Sequence, residues 1–161
     1  FVCTYSKADN SKILYIDLKM VLNESKAGKK AQKFLKKNAE KNIEKIKKTE
    51  KNLKEKEINL IKKKSILSKE EYKKMSESLR KEVQKYQKDR NDSFQKLATQ
   101  RSEARKILVD ALKPILKEYS EENDVSIFVN KKDVLYANPT LDMTSVIIEL
   151  LNKKVPSINL K

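Results

Sequence analysis

The apolar positions change their spacing twice along the chain. Ile13-Leu14-Tyr15-Ile16-Asp17-Leu18 is a short run of β-forming residues and predicts a buried strand. Past Asn23 or Ser25, either of which can cap a helix, the spacing lengthens. Ala39, Ile46, Leu53 and Leu60 stand seven apart, which is the repeat of a coiled-coil seam. Between Lys29 and Lys113 there is neither Gly nor Pro, and only Lys64-Ser65-Ile66-Leu67-Ser68 interrupts the pattern. There Ser68 with Glu71 makes a capping box, the signature of a second helix start. The prediction is a helical hairpin over 26–64 and 69–120, with Pro114 kinking or re-aiming the second helix near its end. Reflecting one helix on the other about residue 66 sets Leu60 against Tyr72, Leu53 against Leu79, Thr49 against Val83, Ile46 against Tyr86 and Leu35 against Leu97. The same reflection sets Asn42 against Arg90 and Ala39 against Ser93, which predicts a weak, flexible zone midway.

Beyond Ser120 the residues turn β-forming again. Val125-Ser126-Ile127-Phe128-Val129 and Val134-Leu135-Tyr136, separated by Asn130-Lys131-Lys132-Asp133, predict a β-hairpin. A final helix over 143–153 carries Val146, Ile147, Leu150 and Leu151 on one face, with Thr140 or Asp142 as its cap. Residues 1–11 lack periodicity and are expected to be disordered, and 155–161, with Pro156, to form a loose tail. The fold class is therefore α+β, mostly α. A long antiparallel helical-hairpin (coiled-coil) arm, 26–113, stands on a small β-containing head made of 12–25 and 114–154. Three short strands and a helix bury too little to be comfortably stable alone, so the head is expected to oligomerise. Its candidate contact residues are Ile13, Tyr15, Ile16, Leu18, Ile127, Phe128, Val129, Leu135 and Tyr136.

Composition removes most chemistry. The chain has no His, so His-based acid/base catalysis and His metal sites are excluded. Its one Gly, Gly28, forbids a glycine-rich phosphate loop, and its one Cys, Cys3, forbids an intrachain disulfide or a Cys-based zinc site. No catalytic, cofactor-binding or metal-ligating set is expected, and the chain does not read as an enzyme. The longest apolar run near the C-terminus, Val146 to Leu151, is too short to span a bilayer. Phe1-Val2-Cys3 is compatible with the end of a signal-peptide apolar region, and Phe-Val is a poor context for a lipidated cysteine.

Charge sharpens the picture. Charged residues are 38% of the chain and the net charge is +15. Residues 26–64 net +11 and residues 69–113 net +5, so the arm carries all of it. Such an arm repels its like and attracts acidic partners, an anionic membrane surface among them, over the roughly 8–10 Å that salt allows. A basic coiled coil that binds nucleic acid is one alternative, weakened by the scarcity of Arg and of interleaved aromatics. A structural spacer is another, and it would show no anti-aggregation activity.

Three segments resemble the Skp/OmpH family. Lys12-Ile13-Leu14-Tyr15-Ile16-Asp17 with Val21-Leu22 is similar to its N-terminal strand and following turn. Ser25-Lys26-Ala27-Gly28-Lys29-Lys30-Ala31-Gln32-Lys33-Phe34-Leu35 is similar to its first helix start. Val125 to Val129, Val134-Leu135-Tyr136 and Asp142-Met143-Thr144 are similar to its closing strands and last helix start. The resemblance covers residues 12–154. It implies a periplasmic, ATP-independent holdase, a homotrimer whose arms surround a cavity that holds unfolded outer-membrane proteins. On that reading Ile43, Phe94 and Met75 are candidate client contacts, with Lys36, Lys47 and Lys54 for the charge. Tyr72 and Tyr86 are assigned to the seam. The high Lys content and loop lengths depart from the family.

Overall fold

The computed structural model describes residues 11–160; the expected N-terminal disorder and Cys3 lie outside the described residues, apart from Ser11. Six main elements follow one another: strand β1 (Lys12–Ile16), helices α1 (Leu18–Glu24), α2 (Lys26–Lys62) and α3 (Lys69–Asn123), strand β2 (Val125–Asn130) and helix α4 (Thr144–Lys154). The chain divides into two compact units. One is Phe1–Lys33 with Glu103–Lys161, the head; the other is Phe34–Ser102, the arm. The divisions fall inside both long helices, because the start of α2 and the end of α3 pack into the head.

The head forms around Ile16, Val21, Leu112, Ile115, Ile147 and Leu151, all buried. A smaller cluster of Leu22, Ala27 and Leu108 adjoins α1, α2 and α3. β1 ends at Ile16, earlier than the predicted run, because Asp17 begins a helix. Its carboxylate accepts from the Met20 backbone N–H at 2.8 Å, an N-cap that places Leu18, Val21 and Leu22 in α1 rather than in a strand and turn. Ser25 then caps α2 by accepting from the Gly28 N–H at 3.1 Å. That junction has no room for a side chain at 28: a Cβ there would stand 1.7 Å from the Leu22 carbonyl oxygen.

The predicted C-terminal β-hairpin does not form. β2 pairs instead with β1, in parallel, with Ile13 beside Ile127 and Tyr15 beside Val129. Asp124, at φ 53°, turns the chain from α3 into β2 through the left-handed region that Asp tolerates. Residues 131–133 form a 3₁₀ turn, and Leu135 and Tyr136 are almost wholly exposed. The free edge of β1 is occupied from further along the chain: Tyr15 bridges to Asp142, and the Met143 N–H donates to the Tyr15 carbonyl at 2.9 Å. α4 buries Ile147 and Leu151 completely, while Val146 faces outward. The tail is not loose: Val155 packs on the main cluster and Ile158 on the smaller one. α3 continues unbroken past Pro114.

In the arm, Leu53, Leu60 and Leu97 are buried, with Leu35, Ile46, Tyr72, Leu79, Val83 and Tyr86 half-buried. These are the predicted seam residues, but the register differs. Lys56 meets Glu82 at 2.6 Å and the Tyr86 hydroxyl donates to Glu50 at 3.3 Å. Reflection about residue 66 would have set 56 against 76 and 50 against 82. The cause lies in the turn. Lys63 and Leu67 N–H groups still bond four residues back, to Asn59 and Lys63, so helical winding runs past Lys62 and the reversal sits near Ser68. The capping box forms as predicted. Glu71 accepts from the Ser68 N–H and hydroxyl, and the Ser68 hydroxyl oxygen accepts from the Glu71 N–H. The Ser68 hydroxyl and then its backbone N–H hold the Glu71 carboxyl below its usual range. Ser68→Ala is expected to fray the first turn of α3 by about 1 kcal/mol, read as lower amide-exchange protection at residues 69–72 with the head unaffected.

Candidate interaction surfaces

A chain of this composition can act through surfaces alone, so the exposed apolar side chains and the charges around them define its candidate sites. In the arm, Ile43 is 44% exposed, Phe94 48% and Met75 42%. Each lies beside the buried seam rather than in it. Arg90 sits over the Phe94 ring at 5.8 Å from its centre, covering one aromatic face with a cation. Met75 borders a cleft with Leu60 and Leu79. Ile43 and Phe94 do not line the mid-arm cleft, which is bordered instead by Asn42, Ile46, Thr49, Tyr86, Arg90 and Ser93. That open cleft of about 550 Å³ marks where polar residues replace leucine in the seam, at the level of the predicted weak zone.

The three candidate lysines are exposed. Lys36 has Glu40 at 3.9 Å one turn on, a loose pair in full solvent that contributes little. Lys54 borders a third cleft with Leu53, Leu60, Tyr72 and Tyr86. Tyr72 and Tyr86, half-buried, serve the seam as predicted. The pattern missed the apolar residues at the hairpin's tip, Ile58, Ile61 and Ile66, all exposed. They stand off the seven-residue repeat, and a search for seam positions passes over them.

In the head the nine candidate oligomerisation residues separate by depth. Tyr15 and Ile16 are buried within the chain, and Leu18, Phe128 and Val129 are half-buried. Ile13 (49%) and Ile127 (52%), paired across the strands, expose adjacent side chains on one sheet face. Leu135 and Tyr136 expose two more apolar groups on the loop after β2.

Asp142 organises this region. Its carboxylate accepts from the Thr144 N–H at 3.0 Å and from the Thr144 hydroxyl, and it pairs with Lys131 at 3.0 Å. The Thr144 hydroxyl oxygen accepts in turn from the Asp17 N–H at 2.9 Å, which ties the start of α1 to the start of α4. Burial pushes the Asp142 carboxyl up, but the Thr144 and Lys131 contacts together outweigh it, and the group titrates below its ordinary 3.8. A carboxyl lowered on folding stabilises the fold fully above the ordinary range and stops doing so as pH falls through the lowered value. Acid unfolding of the head below about pH 4 should therefore flatten in Asp142→Asn, which should also be less stable at neutral pH. An unchanged acid profile would assign the linkage to other groups.

Comparison with known proteins agrees with this architecture. The family model described as outer membrane protein (OmpH-like) matches residues 12–151. A crystal structure from Caulobacter crescentus CB15, described as an outer membrane chaperone (OmpH-like), superposes with a TM-score of 0.87 at 15% identity, covering 100% of this chain and 95% of that one. No curated protein matches the chain.

Proposed function

Because the chain belongs to the OmpH-like family, we propose that it is a periplasmic holdase chaperone that keeps unfolded outer-membrane proteins soluble. The observation that carries this reading is the arm's surface. Half-exposed apolar side chains such as Ile43, Phe94 and Met75 are scattered among lysines, and none forms a deep pocket. Such a surface suits many weak contacts with a chain that has no fixed shape. Binding the unfolded state and not the folded one lets the client leave as it folds, with no nucleotide required.

The exposed Ile13, Ile127, Leu135 and Tyr136 support self-association through the head, and the family implies three copies. Arms with a net charge far above zero would then repel one another around a shared space. Sedimentation at micromolar concentration should give a trimer. A stable monomer would remove the shared space and with it this part of the proposal.

The test of function is aggregation of a urea-unfolded β-barrel protein on dilution, followed by light scattering. The intact protein should suppress it, and Ile43→Ser with Phe94→Ser should weaken suppression without loss of helix. Client association should slow by about tenfold from low to high salt, since steering by the arm is screened over about 10 Å. A rate with no salt dependence would leave the charge without a part in capture.

A further inference from the structure

We propose that Met75 is a site of reversible oxidation: a peroxide turns its thioether into a sulfoxide, the outer part of the arm's seam loosens, and client holding falls until the sulfoxide is reduced. The sulfur lone pair forms an S–O bond as the O–O bond of hydrogen peroxide breaks. The sulfur loses two electrons, and the peroxide, reduced by the same two, leaves as water. The effect on clients rests on the holdase reading, whereas the site itself rests on the arm's own geometry.

The chain has three methionines, and their surroundings differ. Met143 is partly buried against the main head cluster. Met20 is 46% exposed on α1, in the head. Met75, 42% exposed in the arm, is open to a water-borne oxidant yet still shares a cleft of about 290 Å³ with Leu60 and Leu79. Leu60 is the last buried leucine before the reversal at Ser68, and Leu79 is half-buried. A change in Met75 therefore acts on the seam where it is thinnest. Leucine would fill the same space at little cost, so what the thioether adds is its chemistry.

The lining of the cleft favours the oxidised form's departure from the leucines. Lys56, Asn59, Lys63 and Ser78 border it, and every one carries a donor that a sulfoxide oxygen accepts from. Lys56 is engaged by Glu82 at 2.6 Å, whereas Lys63 holds no ion pair among the described residues. A thioether has little use for the Lys63 ammonium; a sulfoxide has a strong acceptor to offer it. Oxidation thus replaces an apolar contact on Leu60 and Leu79 by a polar one at the rim. It also removes one of the half-exposed apolar side chains offered to a client.

The experiment treats the full chain, in a Cys3→Ser background, with hydrogen peroxide. Peptide mass measurement should find one added oxygen on Met75 and on exposed Met20, and Met143 should lag behind both. Amide exchange should quicken at residues 56–63 and 75–82 and stay unchanged in the head. Protection of a diluted β-barrel client should fall about threefold, the part of a methionine's burial that a half-exposed side chain has to lose. Methionine sulfoxide reductases of both epimer specificities should restore it. Met75→Leu should protect as well as the parent and keep that protection after peroxide, whereas Met20→Leu should lose it as the parent does. Equal loss in Met75→Leu, or full protection by a parent whose Met75 is wholly oxidised, overturns the proposal, as does a Met75 that resists peroxide longer than Met143. If the untreated protein protects no client, the holdase reading falls instead, and amide exchange alone decides the site. Faster exchange at 56–63 and 75–82 in the oxidised parent but not in oxidised Met75→Leu upholds it, and equal exchange in the two overturns it.

Discussion

Gly28→Ala is expected to damage the head more than its one added methyl group suggests. Within a helix this change ordinarily helps, by about 1 kcal/mol, because Ala has the higher helix propensity. Here Gly28 lies in α2, its φ is not positive, and propensity alone would predict a gain. Sterics decide otherwise. The new Cβ would meet the Leu22 carbonyl oxygen at 1.7 Å and its carbon at 2.8 Å, both backbone atoms with no rotamer to change. The Ser25 hydroxyl that caps α2 would be 3.0 Å away. Relief requires α1 and α2 to part, which disturbs buried Val21 and Leu22 together. Overpacking commonly costs about 1–3 kcal/mol, and a backbone clash belongs at or above the top of that range. The head's thermal midpoint should fall by roughly 10 °C, measured by near-UV circular dichroism. Gln32→Ala, one turn further on and exposed, should leave it nearly unchanged. A Gly28→Ala protein as stable as the parent would refute the close approach.

Removing residues 44–92 should abolish client protection and leave the head folded. The cut takes equal lengths from α2 and α3 about Ser68, where the reversal sits, and a short Gly/Ser turn can close it. All members of both head clusters remain, as do β1, β2 and α4. Ile43 and Phe94 survive at the base of the shortened hairpin, but Ile61, Ile66, Met75, Lys47 and Lys54 are lost together with the clefts at the seam, and the two side chains left are too few for capture at many weak points. Light scattering of a diluted β-barrel client should then return to the level of client alone. Full protection by the shortened protein would place the client site on the head. Loss of self-association in a folded head would show that the arms help hold the copies together.

What the sequence reveals here depends on how local the physics is. The capping box was legible because Ser68 and Glu71 are three residues apart and satisfy each other. The seam was legible from Leu53 and Leu60, whose seven-residue spacing needs nothing distant. The register was misjudged because it depends on how far helical winding persists past Lys62, and heptad spacing carries no information about that. The β-hairpin was misjudged for the opposite reason. Two β-forming runs close in sequence suggest each other as partners, yet Val125 to Asn130 found β1 far away, and Asp142 with Met143 took the other edge of β1. Gly28 was visible as an oddity, but its cause is a carbonyl oxygen six residues earlier. Among the candidate contacts, the exposed positions of Ile43 and Phe94 followed from their distance from the seam, whereas Ile61 and Ile66 follow no repeat.

The bond from the Asp17 N–H to the Thr144 hydroxyl spans 127 positions of sequence. It has a consequence for the order in which a newly made chain acquires its shape. β1 emerges first but has no partner until β2 follows, and the core lacks its two largest fully buried side chains until Ile147 and Leu151 arrive. The hairpin of α2 and α3 closes through neighbours in sequence and can form early, whereas the sheet must wait for a loop of over a hundred residues to close. Until synthesis is all but complete, the N-terminal strand stays unpaired, and the head closes as a single late event that joins the two ends of the chain.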